Sequence, residues 1–284
     1  MDRRAFLAAV GAGAAGLLAG CQTSLQRSVR PPVAFNTANL VGRETGYRFE
    51  LKHWGEQHAL TVAKTDLAAW SSICEEIARA GFHAVEIWEA HASPEALTQA
   101  KARQWRRVLD RFGLLPVAYA GGLRAETLEV CRWLGIPQMA GGLRGLSPAE
   151  ATALCRAHGV LFNYENHPEK SAAEILAVIG GGNEWLGVCV DTGWLGTQGA
   201  NVAEVIRALG VRVRHTHIKD VKAVGAHETC LLGEGIVDVP AAIQALREIG
   251  YTGWYSWEDE PEDRNPFHSA VRNRQWLEAQ LRRA

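Results

Sequence analysis

The sequence predicts an α/β protein with a single-domain (β/α)8 barrel, the TIM-barrel fold. Strand-like and helix-like segments alternate eight times between residue 33 and the C-terminus. Regular alternation of this kind builds parallel βαβ units, and eight such units in roughly 250 residues have the size of this barrel. The first strand is not followed by a glycine-rich dinucleotide loop, which disfavours the alternative of an open, doubly wound sheet.

The predicted strands are short apolar runs, beginning with "VAFNTA", and a polar insert at 39–63 follows the first of them. The predicted helices have apolar residues at helical spacing, and several end in a glycine, which stops a helix. Ser93 and Ser147 each precede a proline and are predicted as N-caps. The strands comprise 33–38, 83–88, 114–120, 136–140, 160–165, 186–191, 213–218 and 253–258. The helices comprise 66–81, 93–113, 123–134, 147–159, 170–180, 201–209, 238–250 and 268–283.

Composition excludes some classes of function. The chain has 284 residues and a formal net charge of −1, so a strongly basic nucleic-acid-binding protein is excluded and no nucleic-acid partner is expected. Beyond residue 21 the cysteines lie mostly in apolar patterns without CxxC spacing. Buried thiols are therefore predicted, in preference to a disulfide framework or a zinc cluster. These cysteines are Cys74, Cys131, Cys155, Cys189 and Cys230.

The N-terminus has the pattern of an export signal. Arg3 and Arg4 precede an apolar run, as in twin-arginine signals, and "LAGC" resembles the lipobox of bacterial lipoproteins. We therefore expect twin-arginine export, cleavage before Cys21, lipid on Cys21 and a periplasmic protein anchored to the membrane. A plain soluble export signal is the alternative. The expected divisions are the signal peptide at 1–21, a linker at 22–32 and the catalytic barrel at 33–284.

Four ionisable side chains stand at the ends of successive predicted strands. In a barrel of this kind, functional residues gather at the C-terminal ends of the strands. Three carboxylates this close would raise one another's pKa, and a divalent cation removes the conflict. Three oxygen ligands and one imidazole suit Mn²⁺, Mg²⁺, Co²⁺ or Zn²⁺. Strands five to eight end in Glu165, Asp191, His217 and Glu258, which are the predicted metal ligands.

Five short motifs stand in the same part of the chain. They are "NYENHPE" (163–169), "VDTGW" (190–194), "HTHIKD" (215–220), "LLGEGIVD" (231–238) and "GYTGWYSWEDEP" (250–261). In these motifs the chain resembles the xylose-isomerase-like TIM-barrel superfamily and, within it, the sugar phosphate isomerase/epimerase group, and the upstream "GFHAVEIW" (81–88) fits the same pattern. The resemblance implies the same four metal ligands, and it implies that Glu165 and Glu258 also act as the catalytic acid/base pair.

The expected activity is a divalent-metal-dependent isomerase or epimerase acting on a sugar or keto-sugar. It would abstract a proton next to a carbonyl and pass through a metal-bound enediolate. The same constellation permits a lyase or dehydratase acting on a keto-sugar or keto-inositol. An apurinic endonuclease-like enzyme and a non-catalytic sugar-binding lipoprotein are further alternatives. The metal, the exact substrate and the oligomeric state, including a homo-oligomer, stay open.

Six more side chains near the predicted strand exits are candidates for substrate binding, each with a structural alternative. His167 could equally make a local loop contact, and Lys219 could instead form a salt bridge to Asp220 or Glu258. Trp88 could stack on a sugar ring or pack beneath a loop. His215 is expected one layer deeper in the barrel than His217. The six candidates are His167, Lys219, Trp194, Glu86, Trp88 and His91.

Trp194 is a departure from the family pattern. Many relatives have a histidine at this position, and that histidine commonly contacts the substrate or metal-bound water. Tryptophan neither accepts a proton nor ligates a metal, but it offers an apolar wall or a stacking face. The departure leaves the four predicted ligands unaffected and leaves room for a different substrate or reaction.

Overall fold

A computed structural model describes residues 31–283. The predicted export signal, Cys21 and most of the linker lie outside this range. Eight parallel strands form a closed barrel in the order β1 to β8, so the predicted fold class is confirmed. The strands are β1 (Val33–Asn36), β2 (Ala84–Trp88), β3 (Leu115–Ala120), β4 (Gln138–Gly141), β5 (Leu161–Glu165), β6 (Leu186–Asp191), β7 (Val213–Ile218) and β8 (Tyr255–Trp257).

Helices follow the strands and form the outer layer. No helix among residues 31–283 is long and apolar enough to span a membrane. The α-helices are α1 (Trp54–Lys64), α2 (Leu67–Arg79), α3 (Gln99–Phe112), α4 (Ala125–Leu134), α5 (Pro148–His158), α6 (Ala172–Val178), α7 (Thr192–Thr197), α8 (Val202–Leu209), α9 (Val239–Glu248) and α10 (Phe267–Arg282).

The register of the strands aligns their C-terminal ends. Asp191 pairs with His217 across β6 and β7, and Glu165 pairs with Cys189 across β5 and β6. Glu258 follows β8 directly, and its backbone N–H donates to the carbonyl of Ile218 at 3.1 Å. All four predicted ligands therefore leave the barrel at the same end.

Successive residues of each strand face opposite sides of the barrel wall. Phe35 of β1 points outward, where its ring lies 5.3 Å from Phe82 and is stacked at 5.3 Å on Phe267 of α10. Burial of a phenylalanine of this kind contributes about 1.5–3 kcal/mol. The neighbouring Ala34 is buried with Ala84 in a separate small cluster at the start of the strands. Large outward side chains thus fix the helices, and small inward ones close the N-terminal end of the barrel.

The predicted element ends agree with the structure to within two residues except at the start of α3, and helices α1 and α7 were not predicted. The insert after β1 contains helix α1, because Trp54 packs on Trp88 at 5.2 Å between ring centroids, a tertiary contact without a local sequence signal. The helix predicted from Ser93 begins only at Gln99. Thr98 is its N-cap and accepts from the N–H of Lys101 at 3.3 Å.

The second Ser-Pro start is confirmed. Ser147 is the N-cap of α5, where its hydroxyl accepts from the N–H of Glu150 at 3.3 Å. The carboxylate of Glu150 accepts in return from the N–H of Ser147 at 2.9 Å, which completes a capping box. The helix ends at Gly159, which has a φ of 67° and thereby the left-handed conformation that glycine favours.

Candidate metal centre

The structure brings all four predicted ligands together. Ligand-type atoms of Glu165, Asp191, His217 and Glu258 lie within 4.8 Å of one another. His217 Nδ1 lies 2.5 Å from Glu165 Oε1 and 3.4 Å from Glu258 Oε1. Three carboxylates and an imidazole in so small a space form a donor set that fits a divalent cation.

Buried asparagines fix two of the ligands. The Asn166 side chain makes two hydrogen bonds with the backbone of Asp191. It accepts from the Asp191 N–H at 2.9 Å and donates to the Asp191 carbonyl at 3.1 Å. Asn36 donates to Glu258 Oε1 at 2.6 Å. Sequence reasoning missed Asn36 because the first strand was predicted to extend to residue 38, whereas β1 ends at Asn36.

Asp191 links the centre to helix α7. Its Oδ1 caps this helix by accepting from the N–H of Trp194 at 3.0 Å. Its Oδ2 lies 3.4 Å from His167 Nε2 and 3.3 Å from Lys219 Nζ. Burial alone would raise the pKa of Asp191, but Lys219 and His167 outweigh it and hold the pKa well below its usual range. Asp191 is therefore held as a carboxylate.

Glu86 lies beneath the metal centre, inside the barrel. Its carboxylate is fully buried, 2.8 Å from His215 Nε2 and 3.1 Å from His217 Nε2. Burial alone would raise the pKa of Glu86, but the two imidazoles outweigh it and hold the pKa well below its usual range. The structure places Glu86 outside the cavity lining, where it orients His217 from below. His215 lies in this deeper layer, as expected, with Nδ1 3.4 Å from Gln138 Nε2.

A second grouping of potential metal ligands shares this layer. Ligand-type atoms of Cys189, His215 and His217 also lie within 4.8 Å of one another, and all three residues are buried. His217 thus belongs to both groupings, with Nδ1 toward the carboxylates and Nε2 toward Glu86. Burial raises the pKa of the Cys189 thiol above its usual value. This deeper grouping offers three potential ligands, whereas the carboxylate grouping offers four. The carboxylate grouping is the better metal site.

The two predicted catalytic glutamates differ in their surroundings. Burial alone would raise the pKa of Glu165, but His217 and His167 outweigh it and lower the pKa. Burial raises the pKa of Glu258 well above its usual value, and Glu260 adds to the effect. His217 and Lys219 lower the pKa of Glu258 in part, and Lys219 Nζ lies 2.8 Å from Glu258 Oε2.

Glu165, His217 and Glu258 line a cavity of about 330 Å³ at this end of the barrel. A volume in this range is typical of small-molecule sites, which run from roughly 300 to 1,000 Å³. None of the described residues that line the cavity is a lysine or an arginine. Aromatic rings and imidazoles supply much of the remaining wall. They are Trp54, Trp88, His167 and Trp194.

The predicted substrate-binding residues divide into three groups. Trp88, His167 and Trp194 line the cavity, whereas Lys219 lines a narrow side pocket next to it. His91 is 2% exposed and packs behind Trp88, so the structure does not bring it to the cavity. Glu86 is likewise absent from the described lining.

The Trp194 ring lies between two imidazoles and is tilted against both. Its ring centroid lies 4.4 Å from that of His167 and 4.5 Å from that of His227, with tilts of 55° and 54°. His227 belongs to the segment between β7 and α9 and is exposed. The residue that departs from the family pattern is thus a fixed apolar wall between two histidines.

Sequence reasoning also missed Glu260 and Trp54. Glu260 lines both the cavity and the side pocket, and its Oε2 lies 2.7 Å from Lys219 Nζ. The Glu-Asp-Glu run at 258–260 was an available signal for Glu260. Trp54 reaches the cavity only because helix α1 folds over the barrel mouth, and no local pattern predicts that.

Comparisons with known proteins give one family. The family described as "Xylose isomerase-like TIM barrel" matches residues 74–280. An inosose dehydratase of Geobacillus thermodenitrificans is 31% identical over 105 residues, which cover 31% of this chain and 35% of that protein. An L-ribulose-5-phosphate 3-epimerase of Shigella boydii is 30% identical over 105 residues, or 36% of each protein. The matched part therefore spans about a third of these curated relatives.

Solved structures share the fold at low sequence identity. An L-ribulose 3-epimerase has a TM-score of 0.66 and 18% identity, covering 88% of this chain and 94% of that one. The IolI protein with a bound zinc atom has a TM-score of 0.61 and 19% identity, covering 86% of this chain and 95% of that one. Both likenesses extend over nearly the whole barrel.

Proposed function

The chain belongs to the xylose isomerase-like TIM barrel family, and we propose that it is a divalent-metal-dependent enzyme acting on a sugar or keto-sugar. The lead activity is isomerisation or epimerisation by proton transfer next to a carbonyl group. The observation that carries the proposal is the grouping of three carboxylates and one imidazole beside a small-molecule cavity. Similarity to an L-ribulose-5-phosphate 3-epimerase supports it.

Glu165 and Glu258 are the acid/base pair in this proposal. Both carboxylates line the cavity, and both lie beside His217 Nδ1. A cation held by the four ligands would supply Lewis-acid chemistry that acidifies the carbon next to a carbonyl. One glutamate removes the proton from that carbon, and the other returns a proton. Return to the opposite face of the same carbon inverts it, and return to the neighbouring carbon isomerises the sugar.

The substrate in this proposal is uncharged. No lysine or arginine is found among the described residues that line the cavity, so a phosphate group would meet carboxylates without a basic partner. The nearby Lys219 lies in the side pocket and already faces three carboxylates. Trp54, Trp88 and Trp194 offer apolar faces against which the carbon-bearing face of a sugar ring can pack.

A dehydratase is the second candidate, because inosose dehydratases are among the matched relatives. One glutamate would remove the proton from the carbon next to the carbonyl, and the other would donate a proton to the hydroxyl on the next carbon, which leaves as water. A cavity without basic lining residues accepts a neutral keto-inositol as readily as a neutral keto-sugar.

Deuterium exchange tests the proposal and separates the two candidates. The protein is incubated in D₂O with Mn²⁺ and a panel of neutral sugars, keto-sugars and keto-inositols, and products are analysed by mass spectrometry. We expect incorporation of one deuterium at an unchanged carbon skeleton for an isomerase or epimerase, and loss of water for a dehydratase. Glu165→Gln and Glu258→Gln should each reduce turnover by at least about 100-fold, since acid/base groups contribute about 10²–10⁴-fold. Full turnover in either variant contradicts the proposal.

A further inference from the structure

Lys219 has a buried ammonium group that faces three carboxylates. Its Nζ lies 3.3 Å from Asp191 Oδ2, 2.8 Å from Glu258 Oε2 and 2.7 Å from Glu260 Oε2. An ammonium group has three N–H donors, so each carboxylate receives one. Asp191 and Glu258 belong to the metal centre, whereas Glu260 does not. A positive charge therefore stands directly beside a site proposed for a divalent cation.

The lysine side chain is closely packed in this position. Its side chain is 6% exposed and passes over Gly193. A Cβ atom at Gly193 would lie 2.5 Å from both Cγ and Cδ of Lys219, so glycine is required there for the lysine to pass. The Thr192 hydroxyl accepts from the Lys219 N–H at 2.9 Å and holds its backbone as well. The fold thus fixes the ammonium group against the metal centre.

Glu260 is also held in place by dedicated contacts. It has a φ of 50°, a left-handed conformation that is uncommon for a residue with a side chain and that clusters at functional sites. Asn39, which is fully buried, accepts from the N–H of Asp259 at 2.5 Å and of Glu260 at 3.3 Å. It also donates to the Trp257 carbonyl at 3.2 Å. Three contacts from one asparagine side chain hold the turn that directs Glu260 toward Lys219.

We propose that Glu260 is the counter-ion of Lys219 and thereby a positioning residue for the metal centre. Because Glu260 balances its charge, Lys219 can orient the carboxylates of Glu258 and Asp191 without competing with a divalent cation for them. Without the Glu260 charge, only Asp191 and Glu258 would balance the ammonium charge. More of its repulsion of a divalent cation would then be uncompensated. This inference rests on the proposed metal site.

Substitution of Glu260 and substitution of Lys219 should change the metal affinity in opposite directions. Glu260→Gln keeps the size and an acceptor oxygen but removes the charge, and we expect its Kd for Mn²⁺ to rise about 10-fold or more. Lys219→Met removes the positive charge, so its Kd should fall below that of the wild type, while kcat drops because Glu258 loses a donor. The double variant should return close to the wild-type Kd. Isothermal titration of the chelator-treated full chain with Mn²⁺ measures all four proteins.

Two further variants separate charge balance from a packing effect. Glu260→Asp keeps the charge and should bind Mn²⁺ within a few-fold of the wild type. Glu248→Gln, which removes an exposed carboxylate 2.6 Å from Arg207, should leave the Kd unchanged. Unchanged affinity in Glu260→Gln, or weaker binding in both Glu260→Gln and Lys219→Met, would overturn the inference. Absence of Mn²⁺ binding by the wild type would instead overturn the proposed function itself.

Discussion

At the scale of single residues, the two nitrogens of His217 have different partners. Nδ1 faces the carboxylates of Glu165 and Glu258, and Nε2 faces the buried carboxylate of Glu86. A carboxylate behind a ligating histidine fixes its ring and raises its basicity. We therefore propose that Nδ1 is the atom directed to the metal and that Glu86 is its orienting partner. His215 then holds Glu86 in turn at 2.8 Å.

His91 is a buried histidine whose protonation is expected to lower the free energy of unfolding in acid. It is 2% exposed, packs edge-on against Trp88 at 5.6 Å, and has Nδ1 3.1 Å from the Thr37 hydroxyl. Burial lowers its pKa from 6.5 to about 3, with Arg43 adding to the effect. Between these values the unfolded chain binds more protons than the folded chain. The His91 contribution to the free energy of unfolding is therefore fully present above pH 6.5 and is lost as the pH falls toward 3.

Urea unfolding at stepped pH values measures this contribution. The wild type should lose up to about 1.4 kcal/mol per pH unit through His91 below pH 6. His91→Gln should show a shallower decline between pH 6.5 and pH 5, whatever its absolute stability. An identical slope in the two proteins would show that His91 does not stay uncharged in the fold.

At the scale of elements, the segment between β7 and α9 is organised by one carboxylate. Asp220 is 1% exposed and accepts from the backbone N–H groups of Val221, Gly233, Gly235 and Val237 at 2.9–3.0 Å. A Cβ atom at Gly235 would lie 2.2 Å from Asp220 Oδ1, so the segment needs glycine there to close around the carboxylate. This segment carries His227 onto Trp194 and so helps to form the wall of the site.

Replacement of this carboxylate should loosen the segment. Asp220→Asn places an NH₂ group against backbone N–H donors, and we expect a loss of about 3 kcal/mol, since hydrogen bonds to charged groups contribute about 1.5–3 kcal/mol each. Hydrogen exchange should accelerate at the amides of Gly233, Gly235 and Val237. Asp238→Asn is the matched control, because asparagine also serves as an N-cap for α9 and should change stability little. Equal stability in the two variants would argue against this role for Asp220.

The elements show where sequence patterns succeed. Strand ends and Ser147 are predictable because alternation and capping are local features. Helix α1 is not predictable from local patterns, because Trp54 packs against Trp88 from another part of the chain. The start of α3 was predicted too early, because Ser93 and Thr98 are both good caps and the sequence alone does not rank them.

At the scale of the whole molecule, barrel closure is what assembles the centre. Asn36 of β1 reaches Glu258 after β8 because those strands pair to close the sheet. The convergence of the four proposed ligands was predictable because parallel strands end at one rim. The contacts around them, such as Glu86 below His217 and Glu260 beside Lys219, were not predictable, because they depend on side-chain directions across the barrel.

The most direct test of this account is the position of a bound metal. A crystal of the protein soaked in Mn²⁺ would be measured for anomalous scattering. We predict one strong peak per chain, with ligand atoms of Glu165, Asp191, His217 and Glu258 about 2.0–2.6 Å away. A crystal without a peak there, or with its peak instead between Cys189 and His215, would contradict the assignment of this centre as the catalytic metal site.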